Sequence, residues 1–141
     1  MYYPETMGET LSRASYDALV AAAATSRAEL VIRLAGEAGL RTSELPRVRP
    51  GDLRQSPTSS VAVLAVPTAD GDNIDREAPV PASLATALGE YATRSGIDDS
   101  DPFFPISTRR IQMLVREAGA RAAEMRPAPA LTSVTPRALR E

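Results

Sequence analysis

The pattern of apolar and polar positions predicts helices at both ends of the chain and a short β-hairpin near its middle. An alanine-rich run over residues 13–24 follows Ser12, which is a good N-cap. A second helix begins at Ser26, whose spacing to Glu29 fits a capping box, and ends at Gly39. Its apolar residues recur at helical intervals, so one face of this helix is predicted to be buried.

The period of the pattern changes after a predicted helical turn at residues 43–45. Residues 61–66 form a short apolar run with the length of a strand, and residues 70–73 are rich in turn formers. Residues 77–81 are then predicted to form a returning strand, which must lie at an edge of the sheet because it contains two prolines.

Two further long helices are predicted after the hairpin. One covers residues 83–94 and ends at Gly96, and the next is capped by Ser107 or Thr108 and runs to about Met125. Together the elements predict a mainly helical α+β domain, with helices around a small antiparallel sheet. We expect this domain to cover residues 11–141, after a flexible lead at residues 1–10.

A last helix is predicted after a proline-containing break at residues 126–129. Thr135 and Pro136 have the chemistry of an N-cap and a first helical residue. The sequence stops at Glu141, about one and a half turns later, and so short a helix is marginal in water without a partner. This pattern suggests a chain cut from a longer protein, or one that has lost a C-terminal segment.

The composition of the chain excludes several common kinds of enzyme chemistry. The 141 residues include no Cys and no His, which excludes a Cys nucleophile, a thiolate metal site and the commonest general base. We therefore expect no metal and no cofactor. No apolar run is long enough to span a membrane, and the N-terminus lacks a signal-peptide pattern, so we expect no membrane contact and a cytoplasmic location.

Charge is unevenly distributed along the chain. Residues 70–101 carry two Arg against eight acids, a net charge of −6, whereas residues 102–141 carry seven Arg against three acids, a net charge of +4. All sixteen basic residues are Arg. A basic C-terminal third is compatible with an anionic partner such as nucleic acid, and a solvated helix face is the alternative interpretation.

Two short segments resemble conserved boxes of the tyrosine recombinase (phage integrase) catalytic domain. Residues 38–45, A-G-L-R-T-S-E-L, resemble the first box, T-G-L-R-x-x-E-L, with Ala38 in place of the usual threonine. Residues 135–140, T-P-R-A-L-R, resemble the second box, T-P-H-x-L-R. Between them, residues 48–53, 61–66 and 76–80 resemble the loop and strands of the family's small sheet. The resemblance implies the family's mainly helical fold and a role in DNA recombination or integration.

The resemblance implies a site that binds the scissile phosphate. Arg41 and Arg140 match the family's phosphate-binding arginines, and Arg137 lies at the position of the family's histidine. A guanidinium suits this chemistry because it binds two phosphate oxygens at once. Glu44 is expected to hold the Arg41 guanidinium, and main-chain N–H groups at Arg41 are expected to favour the anion. As an alternative, Arg41 and Glu44 form an ordinary surface ion pair contributing about 0.3 kcal/mol.

Departures from the family pattern bear on catalysis. The chain has no Lys for the hairpin position of the general acid, where Asp70, Asp72 and Asp75 lie instead. Arg137 cannot exchange a proton near neutral pH. None of the four tyrosines, Tyr2, Tyr3, Tyr16 and Tyr91, lies in a context that matches the nucleophile. We therefore expect no nucleophile, and we expect the chain alone to be inactive as a DNA strand-transferase.

Three functions are compatible with these observations. The first is a fragment of a DNA recombinase that carries phosphate-binding arginines but no nucleophile. The second is a degenerate, non-catalytic accessory module that binds DNA or a recombinase subunit. The third is a helical interaction domain with no role in nucleic-acid binding. In the first two, DNA is the expected partner, bound weakly through its backbone.

Overall fold

The computed structural model describes residues 12–55, 60–69 and 73–125. Its helices are α1 (Arg13–Ala21), α2 (Ser26–Glu37), α3 (Ala82–Ser95) and α4 (Thr108–Met125). Its strands are β1 (Leu53–Arg54), β2 (Val61–Pro67) and β3 (Ile74–Pro81), and a 3₁₀ turn at Pro50–Asp52 precedes β1. The expected mainly helical α+β fold with a small antiparallel sheet is confirmed. The predicted lead, the turn at residues 70–72 and the last helix lie outside the described residues.

The first two helices begin with side-chain caps. Ser12 accepts a hydrogen bond from the Ser15 main-chain N–H at 3.1 Å, as the sequence predicts. The capping box predicted at Ser26 is wrong by one residue, because Thr25 accepts the bond from the Ala28 N–H at 3.1 Å. Both hydroxyl residues can cap a helix, and the extended backbone at Thr25 decides between them.

The sheet is antiparallel throughout, with strand order β1-β2-β3. β3 lies at an edge, as its prolines require, and Pro79 pairs with Val63. Alternate residues of β2 and β3 are buried, among them Leu64, Val66 and Val80. β1 has only two residues, and the pattern of the sequence does not predict it.

The buried face of the sheet and all four helices share one core. α2 contacts α1, α3 and α4, and β3 contacts α2 and α3. Phe103 and Phe104, in the connection between α3 and α4, are fully buried, and the Phe104 ring packs against Tyr91 with centroids 5.9 Å apart. α3 ends at Gly96 with φ +67°, and the Ser107 hydroxyl caps α4 by accepting from the Arg110 N–H at 3.1 Å. α2 is therefore the central helix, and its two ends open on different surfaces.

The end of α2 depends on a left-handed glycine. Gly39 has φ +71°, and a Cβ atom there would meet nothing within 4 Å, so only backbone strain opposes a side chain. We expect Gly39→Ala to lower the free energy of unfolding by about 1–2 kcal/mol. Gly89→Ala is the matched control, since Gly89 lies inside α3 with equally open space. This control should raise the free energy of unfolding by about 0.5–1 kcal/mol. Urea denaturation measures both, and equal effects would contradict the assignment.

Candidate functional site

The segment after α2 is a compact turn that holds Arg41 at the protein surface. The Leu40 N–H donates to the Leu34 carbonyl at 3.2 Å, and the Leu40 side chain is fully buried. The next turn closes through bonds from the Glu44 and Leu45 N–H groups to the Arg41 carbonyl, at 2.9 and 3.2 Å. Leu45 is also fully buried. Arg41 is thus an exposed residue between two buried leucines, and its backbone has little freedom to move.

Glu44 lies beneath this turn and is the one buried charged residue in the described part of the chain. It is 1% exposed. Its Oε1 atom accepts the main-chain N–H of Arg41 at 2.8 Å. A carboxylate in such a position is costly unless its charge is balanced and its oxygens are bonded.

Arg76 of β3 provides that balance. Its Nη2 and Nε atoms donate to Glu44 Oε1 and Oε2 at 2.7 and 3.0 Å, a bidentate ion pair. Nη2 also donates to the Gly39 carbonyl at 3.1 Å. The Arg76 side chain therefore bonds residues on both sides of Arg41, Gly39 and Glu44, and joins this turn (the Arg41 turn, residues 39–45) to the sheet.

The ionisation of this pair follows from its contacts. Burial by itself would raise the pKa of the Glu44 carboxyl, but the hydrogen bonds from Arg76 and from the Arg41 N–H, with the charge of Arg76, lower it below its ordinary value. The hydrogen bond to Glu44 in turn raises the pKa of Arg76. Both groups are charged at neutral pH.

The expected contact between the Glu44 carboxylate and the Arg41 guanidinium is not present, and that part of the sequence interpretation is wrong. Glu44 binds the main chain of Arg41 instead, because its carboxylate is buried whereas the Arg41 side chain is exposed. The Arg41 N–H is accordingly occupied by Glu44 and is not available to an anion. Within the described residues, the Arg41 guanidinium has no hydrogen bond or ion pair.

Arg76 is a residue of the candidate site that the sequence does not single out. It begins the segment R-E-A-P-V, where the pattern indicates only the returning strand. One sequence signal does indicate that such a residue exists. Glu44 of the first box lies beside apolar residues on a predicted turn, and a buried carboxylate there needs a cation from another part of the chain. The sequence alone does not say which of sixteen arginines supplies it.

The remaining candidate residues are only partly covered by the structure. Asp75 is exposed on β3, next to Arg76, whereas Asp70 and Asp72 lie outside the described residues. Arg137 and Arg140 also lie outside them, so their convergence with Arg41 stays a prediction. Within the described ranges, no group of three or more Asp, Glu, His or Cys side chains is placed to hold a metal ion. In the same ranges, no helix is long and apolar enough to cross a membrane.

Both tyrosines in the described part of the chain have structural partners. The Tyr16 hydroxyl donates to Glu37 Oε2 at 2.9 Å, and burial together with this bond raises the pKa of the hydroxyl. Tyr91 is 7% exposed and accepts a hydrogen bond from Arg27 Nε at 3.3 Å. A raised pKa disfavours the phenolate, so Tyr16 is poorly suited to act as a nucleophile.

Comparison with solved structures finds chains of similar fold. A crystal structure of XerA recombinase matches the chain with a TM-score of 0.71 and 24% sequence identity, over 99% of this chain and 49% of that chain. The chain thus spans about half the length of that recombinase. No protein-family model and no curated protein matches the sequence. The fold is therefore recombinase-like, which confirms the fold expected from the two boxes.

The ion pair between Glu44 and Arg76 predicts a strong dependence of stability on Glu44. We expect Glu44→Gln to lower the free energy of unfolding by about 1.5–3 kcal/mol, because a charge-assisted bond inside the protein is lost. Asp17→Asn is the matched control, since the Arg13–Asp17 pair is exposed, and its effect should stay within about 0.5 kcal/mol. In a double-mutant cycle, Glu44→Gln and Arg76→Gln should be coupled by at least about 1 kcal/mol. Additive effects would show that the pair does not act as a unit.

The lowered pKa of Glu44 predicts a pH dependence. Its stabilising contribution is complete above the pKa of the unfolded chain, about 4.3 for Glu, and is lost as the pH falls through the lower folded-state pKa. The difference in unfolding free energy between wild type and Glu44→Gln should therefore be constant near neutral pH and shrink in acid. Urea titrations at several pH values measure it. A difference that widens on acidification would mean that the folded-state pKa is raised.

Proposed function

We propose that the chain is a recombinase-like DNA-binding domain whose Arg41 guanidinium holds a backbone phosphate. The observation that carries this proposal is the exposed, unpaired guanidinium on a turn fixed from below by Glu44 and Arg76. An arginine that only contributes to the hydration of the protein surface does not need a backbone held in place by a buried ion pair. Since the main-chain N–H of Arg41 is already bonded, the side chain alone presents positive charge to a ligand.

A phosphodiester fits this arrangement chemically. Its two non-bridging oxygens match the paired N–H groups of a guanidinium, and the bonds are charge-assisted. We propose that Arg140 completes the phosphate site, with Arg137 beside it. These two residues are three positions apart, so on a helix they share one face. The order of the two boxes in the sequence supports their convergence with Arg41.

The exposed face of α4 supports binding to a longer stretch of duplex. Arg109 and Arg116 are exposed there and, within the described residues, their guanidinium groups form no hydrogen bond or ion pair. Arg110 lies 3.8 Å from Glu117, with both side chains about half exposed. By contrast, Arg121 donates to the Ala22 carbonyl at 3.2 Å and joins α4 to α1. Arginines without acidic partners attract the phosphate backbone without reading its sequence.

We propose that this chain alone does not cleave or join DNA. The absence of Lys and His from the sequence removes two groups that the family pattern places at the phosphate. The hydroxyl groups of Tyr16 and Tyr91 are both engaged in hydrogen bonds, with Glu37 and Arg27 respectively. The main interpretation is thus a recombinase fragment with phosphate-binding arginines and no nucleophile of its own, and recombinase subunits are its proposed protein partners.

A non-catalytic accessory module is the second candidate function. It is favoured by Arg137 at the histidine position, because an arginine there binds phosphate but does not transfer a proton. Both candidates bind DNA through the same surface. They differ in whether a separate tyrosine, offered by another chain, can complete strand cleavage at this site.

DNA binding should be weak and strongly dependent on salt. We expect a Kd in the range of about 10⁻⁴ to 10⁻⁶ M at physiological salt for any duplex sequence. Arg41→Gln should weaken binding and reduce the slope of log K against log salt by about 1, because one phosphate contact is lost. Arg13→Gln, an exposed change on α1, is the matched control and should leave the slope unchanged. Fluorescence anisotropy with labelled duplexes measures these values. Equal slopes for the two variants would refute the Arg41 contact.

Incubation with nicked or suicide DNA substrates should yield no covalent complex. The reason is that no tyrosine lies in a sequence context that matches the family's nucleophile, and that the hydroxyls of the two described tyrosines, Tyr16 and Tyr91, are bonded to Glu37 and Arg27. Denaturing gel electrophoresis of labelled substrate detects such an adduct directly. A labelled band that survives denaturation and disappears after protease treatment would overturn the proposal of an inactive chain.

A further inference from the structure

Three arginines surround a depression at the start of α2, at the opposite end of that helix from the Arg41 turn. The depression measures about 410 Å³ and is lined by Arg27 of α2, Arg94 of α3 and Arg110 of α4. The other described residues of the lining are Thr25, Ser26, Tyr91, Ser95 and Leu114. Among the described residues, hydroxyl groups therefore accompany the arginines and no acidic side chain does. Three helices that are distant in sequence thus place like charges around one space.

The charges of these arginines are poorly compensated. Arg27 Nε donates to the Tyr91 hydroxyl at 3.3 Å, and Arg94 Nη2 donates to the Ser26 hydroxyl at 3.4 Å. Both acceptors are neutral, so each guanidinium keeps its full charge. Arg110 has an acidic neighbour, Glu117, but the distance is 3.8 Å and both side chains are about half exposed. Such an exposed pair neutralises little.

Neither the neighbouring carboxylates nor the carbonyl groups at the end of α3 neutralise the positive charge of these arginines. Glu29, in the first turn of α2, lines a different depression with Arg13 and Arg33. Asp101 lines an adjoining depression that shares Arg27, Tyr91 and Ser95 with this one. It makes no ion pair within 4 Å in the described structure. At the end of α3, the Gly96 and Ile97 N–H groups cap the Ala92 and Thr93 carbonyls. The depression therefore combines three guanidinium groups, of which Arg27 and Arg94 have only neutral partners, with hydroxyl groups.

We propose that this depression, which we call the α2 N-terminal site, binds a phosphate group independently of Arg41. The twelve residues of α2 span about 18 Å, so one phosphate cannot contact both ends of the helix. Guanidinium forks and hydroxyls are the donors that a tetrahedral oxyanion prefers. The volume greatly exceeds the roughly 30 Å³ of a water molecule, so the site admits a phosphate with attached groups as well as the free ion.

The ligand has two candidate sources with the same chemistry, the DNA backbone and a free phosphate. Nuclear magnetic resonance titrations of the ¹⁵N-labelled chain distinguish them, with inorganic phosphate in one arm and a short DNA duplex in the other. Sodium chloride at equal ionic strength corrects for screening. The signals to follow are the main-chain amides of Ser26, Arg27 and Ser95.

We expect saturable phosphate-dependent shifts of these amides. Arg27→Gln and Arg94→Gln should each weaken the binding about threefold to tenfold. Arg13→Gln, an exposed change outside both proposed phosphate sites, is the matched control and should leave phosphate binding there unchanged. Thermal unfolding of each variant shows whether it is folded. If Arg27→Gln does not fold, Arg94→Gln, an exposed substitution, carries the test alone.

The two arms of the titration separate the possible outcomes. Shifts with the duplex at lower concentration than with phosphate, weakened by Arg94→Gln, would support the site and identify DNA as the source. Shifts with inorganic phosphate alone would support the site and identify a free phosphate. No saturable shift in either arm, or shifts unaffected by both pocket variants, would overturn the proposal. The proposed function would survive that result if Arg41→Gln still lowered the salt dependence of DNA binding.

Discussion

A buried carboxylate is the constraint on which the candidate site depends. Glu44 is 1% exposed, and hydrogen bonds from Arg76 to both of its oxygens and from the Arg41 main chain to Oε1, together with the charges of the two arginines, favour its charged form. The hydrogen bonds from Arg76 to the Glu44 carboxylate hold β3 against the turn that follows α2. The Arg41 side chain is left facing solvent as a consequence, since the acid closest to it in sequence is already paired. A structural requirement of the interior thus produces a free guanidinium at the surface.

The central position of α2 gives this constraint a wider effect. The helix packs against the three other helices and against β3, and it ends at Gly39, where the left-handed backbone directs the chain into the Arg41 turn. At its other end, Arg27 meets arginines from α3 and α4. Arginines therefore lie at the surface near both ends of this central helix. It is on this arrangement that we base the proposal of a partner with phosphates spaced along its length.

More of the fold than of the candidate site can be predicted from the sequence. Helix caps at Ser12 and Ser107 and the edge strand with Pro79 follow from local chemistry, so they can be predicted from neighbouring residues alone. β1 cannot, because two residues carry no periodicity and their strand conformation depends on pairing with β2. The partner of Glu44 escapes prediction for a similar reason. Arg76 is 32 positions away, and only tertiary structure brings the two together.

The proposal that the Glu44–Arg76 ion pair positions Arg41 for a phosphate is tested most directly by asking whether Arg76 affects DNA binding through Arg41. Arg76→Lys keeps the positive charge but loses the bidentate fork that holds Glu44. DNA affinity is measured for wild type, Arg76→Lys, Arg41→Gln and the double variant, each confirmed to be folded. We expect Arg76→Lys to weaken binding in the wild-type background and to have no further effect once Arg41 is replaced. Equal weakening in both backgrounds would contradict it.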